Sequence, residues 1–249
     1  MSNKAPKPED QRERIPFYML LPNLATISGM CLGITAIRYA IEERFEIAVT
    51  LILISGVFDG LDGLLARRLN AASDFGAELD SLSDFLCFGV APGLIVYEFF
   101  LRGQTGISWI FVLVYITAAC LRLARFNVTR EKKTGDGKSF TGVPAPAGAM
   151  LGLLPLFLTM SDLIDLRENP ILVAIWLGIV GFLMISQIKT FSPKSIRVPR
   201  KLVSIAMFGV VICIGLFIAQ LWRLMVVIDV IYLASVLWSV IKSKGRVLS

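Results

Sequence analysis

The chain has 249 residues, 55% of them apolar and 18% charged, with a net charge of +6. Its mean hydropathy of +0.72 excludes an ordinary water-soluble domain: so little polar surface cannot cover so apolar a chain, and the apolar residues must face lipid. It has no histidine, which removes imidazole-assisted triads and phosphohistidine intermediates and leaves general-base work to carboxylates or lysine.

The N-terminal stretch from Met1 to Arg14 is polar and charged, with Pro6 and Pro8. It lacks the apolar core and cleavage site of a signal peptide, so the first hydrophobic span is expected to be retained. A spanning helix needs about 20 apolar residues. Such runs occur at 17–40, 45–69, 77–101, 106–127, 143–161, 170–188, 202–220 and 222–242, predicting an all-α, polytopic helical bundle of eight spans. The fifth run is short and rich in Gly and Pro, and the last two require a tight hairpin. Cys31, Cys87, Cys120 and Cys213 are far apart within apolar runs and read as small packing residues.

Most Lys and Arg residues fall at Lys4 to Arg14, Arg67 and Arg68, Arg125 to Lys138, Lys189 to Lys201, and Lys242 to Arg246. The positive-inside rule then places both termini in the cytoplasm, as an even number of spans requires. That charge is expected to face anionic lipid, with no nucleic-acid partner.

The second and third spans differ from the rest. They carry Asp59, Asp62, Asp80 and Asp84, and each carboxylate near the bilayer centre would cost about 2.5–3.5 kcal/mol on the lenient insertion scale. Asp59 and Asp62 are three apart and Asp80 and Asp84 four apart, so each pair shares one helix face. Gly63 and Ala66 lie on the stripe of Asp59, and Gly76 sits one turn before Asp80. The eight-residue link at 68–75 suits a cytoplasmic turn between antiparallel neighbours. Oxygen-only ligation suits hard divalent ions, Mg²⁺, Mn²⁺ or Ca²⁺, and two such ions can clamp a pyrophosphate. The small residues leave room for a bulky ligand, and Arg67 can contact phosphate through two N–H groups. A cation-transport site is the competing reading from another class. Transport sites usually involve broken helices near the midplane, whereas these aspartates lie near one face beside an arginine.

The stretch resembles the signature of the CDP-alcohol phosphotransferases, D-x2-D-G-x2-A-R-x8-G-x3-D-x3-D, with Asp59, Asp62, Gly63, Ala66, Arg67, Gly76, Asp80 and Asp84 at its fixed positions. The resemblance implies displacement of CMP from a CDP-linked lipid or alcohol, with two divalent metals, in a six-helix membrane core. It implies that Asp59 and Asp80 bridge the metals, that Asp62 completes one site, and that Asp84 ligates the second and accepts the proton of the acceptor hydroxyl. Gly63, Arg67 and Ser73 correspond to positions touching the CDP-lipid. Pro22-Asn23-Leu24-Ala25-Thr26 is similar to the first-helix motif lining the nucleotide pocket, which adds Asn23 and Thr26.

Leu79 to Phe85, Phe88 to Pro92, Arg122 to Asn127 and Gly142 to Pro146 resemble the members of that family that use L-serine as acceptor and CDP-diacylglycerol as donor. Sister enzymes using glycerol 3-phosphate, an inositol phosphate or choline are the alternative. A serine zwitterion needs a cation for its carboxylate, which Arg122 or Arg125 can supply; Ser83 and Asn127 complete the expected acceptor set. The resemblance implies a homodimer in a bacterial cytoplasmic membrane. The expected division is a polar segment at 1–16, the core at 17–200, and two extra spans with a tail at 201–249.

Overall fold

The computed structural model describes residues 17–104, 106–132, 142–186 and 219–242, together with Gly209 and Gly215. The N-terminal segment, most of the seventh expected span with Cys213, and the basic runs at 133–141 and 187–201 lie outside the described residues.

Among the described residues the fold is helical throughout, as expected. Helix α1 (Leu21–Ile41) follows a short 3₁₀ turn at Phe17–Leu20, with Pro22 in its first turn where no N–H is needed. Helices α2 (Phe45–Arg68), α3 (Asp74–Leu101), α4 (Gly106–Lys132) and α7 (Leu221–Lys242) follow. Between α4 and α7 lie two apolar helices of 16 residues each, α5 (Ala145–Met160) and α6 (Pro170–Ile185). At 1.5 Å per residue those two span about 24 Å, less than the ~30 Å hydrocarbon core. They fall short of the expected 143–161 and 170–188 because Pro144 and Ser186 are extended and Asp162 turns the chain at φ +56°. The five others, the 3₁₀ turn included with α1, are long and apolar enough to cross a membrane. The chain is a multi-pass membrane protein.

Helix α3 is the hub. It is the most enclosed of the long helices and packs against α1, α2, α4, α5 and α6. Its regular α-helix stops at Asp84 and passes through a π-helical stretch at Phe85–Val90. Pro92 lacks the N–H that would bond the carbonyl of Phe88 one turn earlier. The buried Tyr115 hydroxyl of α4 donates to that carbonyl at 2.9 Å. The same substitution occurs in α5: Pro155 frees the carbonyl of Leu151, and the Trp176 indole of α6 donates to it at 2.7 Å. Two prolines that would otherwise orphan buried carbonyls thereby become ties between helices.

Helix α1 also packs closely on α2 and α3. A Cβ on Gly33 would stand 2.7 Å from Cys87 Sγ, so only glycine permits this approach. Cys87 is buried and donates to the Gly29 carbonyl at 3.4 Å. Cys31 and Cys120 are exposed, and all three are free thiols. Helix α7 packs on α5, with Trp222 stacked on Phe157 at 6.3 Å. Phe157 is near the end of α5 and Trp222 near the start of α7, so the two run antiparallel. Lys242 therefore returns to the side where α3 begins and α4 ends.

Candidate active site

The α2–α3 connection shapes the site. Helix α2 ends at Arg68 and the chain reverses through Asn70, which adopts φ +50°. Ser73 caps α3: its side chain accepts the Gly76 N–H at 3.1 Å. The reversal sets α2 and α3 antiparallel, with their aspartates within about three turns of the connection.

Carboxylate oxygens of Asp59, Asp62 and Asp80 all lie within 4.8 Å of one another. Asp62 is buried, and Asp59 and Asp80 are half-buried. Asp84 joins through Asp59, the two carboxyl groups being within hydrogen-bonding distance. Carboxylates meet this closely only with a proton or a cation between them. Convergent oxygen ligands in a partly enclosed site suit a hard divalent metal; among the described residues no cysteine shares the group.

Helix α1 holds this cluster from the side. Thr26 Oγ1 donates to Asp62 Oδ2 at 2.6 Å, a charge-assisted bond that fixes the carboxylate. The same hydroxyl lies 3.1 Å from the Pro22 carbonyl, but it has one proton, and the shorter ionic partner takes it. Ser83 Oγ, buried, donates to the backbone carbonyl of Thr26 at 3.3 Å. The Asn23 amide packs over Gly76, where a Cβ would stand 2.9 Å from Asn23 Oδ1. Asn23, Thr26 and Gly76 thus meet at one corner of the site. Gly60 faces open space, and a Cβ on Gly63 would meet only the Arg67 guanidinium at 3.7 Å. Arg67 is exposed and Ala66 half-buried.

The expected acceptor residues separate. Arg122 reaches Asp84 electrostatically, and among the described residues its buried Nε has no hydrogen-bond partner. Arg125 instead donates to the Ile185 carbonyl at 3.1 Å, at the last turn of α6. Asn127 donates to Ser81 Oγ at 3.0 Å, while the Ser81 hydroxyl lies 3.0 Å from the Ala77 carbonyl. Two further buried polar atoms on α7 have no hydrogen-bond partner among the described residues: Oδ2 of Asp229, a residue 2% exposed, and the Tyr232 hydroxyl. Asp229 breaks an otherwise apolar run, the same intramembrane signal that singled out the four aspartates; it passed unassigned in the sequence because it stands alone.

A multi-pass helical bundle enclosing a carboxylate cluster that could hold divalent metal, with small-residue room beside it, defines a membrane protein with a candidate metal site between its helices. The chain belongs to the CDP-alcohol phosphatidyltransferase family, whose model matches residues 19–185. It is similar to proteins named CDP-diacylglycerol–serine O-phosphatidyltransferase. The Mycobacterium tuberculosis protein is 33% identical over 226 residues, 89% of this chain and 78% of that protein. The Helicobacter pylori protein is 37% identical over 187 residues, 75% and 78% of the two chains. The Bacillus subtilis protein is 34% identical over 169 residues, 68% and 88%.

Proposed function

We propose that the chain transfers the phosphatidyl group of CDP-diacylglycerol to L-serine, giving phosphatidylserine and CMP. The convergence of the family's four aspartates across α2 and α3 carries this reading, and the relatives' shared name supports serine as acceptor.

Asp59, Asp62, Asp80 and Asp84 would hold two divalent cations, Mg²⁺ or Mn²⁺, with Ca²⁺ a further candidate. When bound, the ions supply charge neutralisation for the pyrophosphate oxygens and the departing CMP. Asn23, Thr26, Gly63, Ala66 and Gly76 line the space for the CDP moiety, and Arg67 and Ser73 stand where its phosphates enter. Asp84 takes the proton of the serine hydroxyl. The serine oxygen forms a bond to the phosphorus that bears diacylglycerol, and the bond from that phosphorus to the bridging oxygen of CMP breaks, with its electron pair leaving on CMP. Arg122, beside Asp84, receives the serine carboxylate. Positioning, rather than covalent chemistry by the protein, carries the catalysis.

The chemistry belongs to the expected core at 17–200. The basic runs support a cytoplasmic position for both termini and for this face, and the family resemblance together with that topology supports a bacterial cytoplasmic membrane. The family resemblance supports a homodimer, which the mass of the detergent-solubilised protein measures. The activity is tested with purified protein, CDP-diacylglycerol and Mn²⁺ by measuring CMP release against a panel of alcohols. Release with L-serine is expected. Release only with glycerol 3-phosphate, an inositol phosphate or choline moves the acceptor, and metal flux into proteoliposomes without CMP release from any alcohol removes the enzyme.

A further inference from the structure

Asp84, the proposed base, sits where α3 changes its winding. The regular α-helical part of α3 ends with it, and it is the N-cap of the π-helical stretch at Phe85–Val90. At the far end of that stretch the Ala91 N–H bonds the Leu86 carbonyl five residues back. An i→i+5 turn carries one residue more than an i→i+4 turn. The face that presents Asp80 and Asp84 is thereby rotated relative to the face that α3 buries beyond Val90.

Contacts from α1 and α4 hold this stretch. Ser83 Oγ donates to the Thr26 carbonyl at 3.3 Å and Cys87 Sγ to the Gly29 carbonyl at 3.4 Å, the latter a weak thiol bond. From α4 the Tyr115 hydroxyl donates to the Phe88 carbonyl at 2.9 Å, the shortest of the three and one turn past Asp84. Pro92 cannot supply that carbonyl with its α-helical N–H. Tyr115 itself is closely seated. It is fully buried, and three other helices close on it through glycines. A Cβ would stand 3.3 Å from its Cδ1 at Gly93 of α3, 3.2 Å from its hydroxyl oxygen at Gly152 of α5, and 3.2 Å from its Cα at Gly181 of α6. Packing that tight makes the phenol a rigid anchor.

We infer that Tyr115 is a positioning residue for Asp84: its hydroxyl, seated among Gly93, Gly152 and Gly181, holds the Phe88 carbonyl and with it the π turn that sets the direction of Asp84. The inference rests on the role of Asp84 as base in the reaction proposed above. Without the hydroxyl, the turn can satisfy the Phe88 carbonyl only by rewinding, and an error of about 1 Å at a reacting group costs on the order of 10²-fold in rate. A matching tie elsewhere supplies the control. Trp176 of α6 holds the Leu151 carbonyl that Pro155 frees in α5, a helix that carries none of the four aspartates.

The test uses the full chain in lipid nanodiscs with CDP-diacylglycerol, L-serine and saturating Mn²⁺. CMP release and thermal unfolding are measured on the same samples of Tyr115→Phe, Trp176→Phe, and Tyr115→Phe combined with Pro92→Ala. Both single variants are expected to lower the unfolding midpoint by roughly 2–10 °C. Only Tyr115→Phe should lower kcat per folded molecule, by about 10- to 100-fold, with both KM values within a few-fold of the parent. In the double variant the new N–H at position 92 gives the Phe88 carbonyl an α-helical partner in place of the π turn, which restores the midpoint and leaves kcat low. Should Tyr115→Phe alone not accumulate, the double variant carries the test. A kcat within about twofold of the parent in Tyr115→Phe overturns the inference. So does an equal loss in Trp176→Phe, or a double variant that recovers kcat together with its midpoint, since each marks a hydroxyl that serves stability alone. A parent chain that releases no CMP with any alcohol removes the enzymatic reading instead, a result read without any variant.

Discussion

Replacing Thr26 with valine removes one hydroxyl and almost no volume, and it isolates what α1 contributes to the metal site. The lost bond is the 2.6 Å contact to Asp62 Oδ2. Hydrogen bonds to charged groups contribute about 1.5–3 kcal/mol. Part of that holds Asp62 in a ligating orientation, and groups that orient metal ligands typically govern 10- to 100-fold in affinity. The expected result is a roughly 10- to 100-fold rise in the Mn²⁺ concentration for half-maximal CMP release, equivalent to about 1.4–2.8 kcal/mol. Thr26→Ser keeps the hydroxyl and should stay close to the parent. The Ser83 bond to the Thr26 backbone carbonyl survives both changes, so the α1–α3 packing is not confounded. Titrating Mn²⁺ at saturating CDP-diacylglycerol and serine measures the effect. An unchanged metal requirement in Thr26→Val would refute the view that α1 positions this ligand.

Gly76→Ala places a methyl 2.9 Å from Asn23 Oδ1 and 3.1 Å from Ser73 Oγ; it should displace Asn23 and raise the KM for CDP-diacylglycerol more than that for serine, read by varying each substrate in turn. Trp176→Phe leaves the Leu151 carbonyl unpartnered and should cost about 1–3 kcal/mol in thermal unfolding. In a Pro155→Ala background, which restores a backbone donor within α5, the same change should cost less. Chelation by EDTA should abolish CMP release, and Mg²⁺ or Mn²⁺ should restore it while Zn²⁺ does so poorly, since all the expected ligands are oxygen.

The long spans were legible because apolar run length is a direct physical requirement of the bilayer; α1, α2, α3, α4 and α7 all begin within about four residues of where hydropathy places them. The carboxylate cluster was legible for the complementary reason, that charge in such runs demands compensation. The short helices were less so. Their ends depend on Pro144, Asp162, Pro170 and Ser186, local backbone preferences that a hydropathy run does not register. The interhelical ties were hidden as well. Tyr115 with Phe88 and Trp176 with Leu151 pair residues from different helices, and each can be guessed only from the proline that frees the carbonyl. Ser81 and Asn127 belonged to one motif set in the sequence, but their hydrogen bond across α3 and α4 is tertiary.

The central claim, that four aspartates across α2 and α3 drive acceptor-dependent displacement of CMP, is tested most directly by one comparison. Purified protein and its Asp84→Asn variant are given CDP-diacylglycerol and Mn²⁺, with and without L-serine, and CMP is measured. The parent should release CMP only with serine, in step with phosphatidylserine, and the variant should be slower by roughly 10²–10⁴, the usual contribution of a positioned general base. CMP release that ignores serine, or a variant within a few-fold of the parent, would contradict the account.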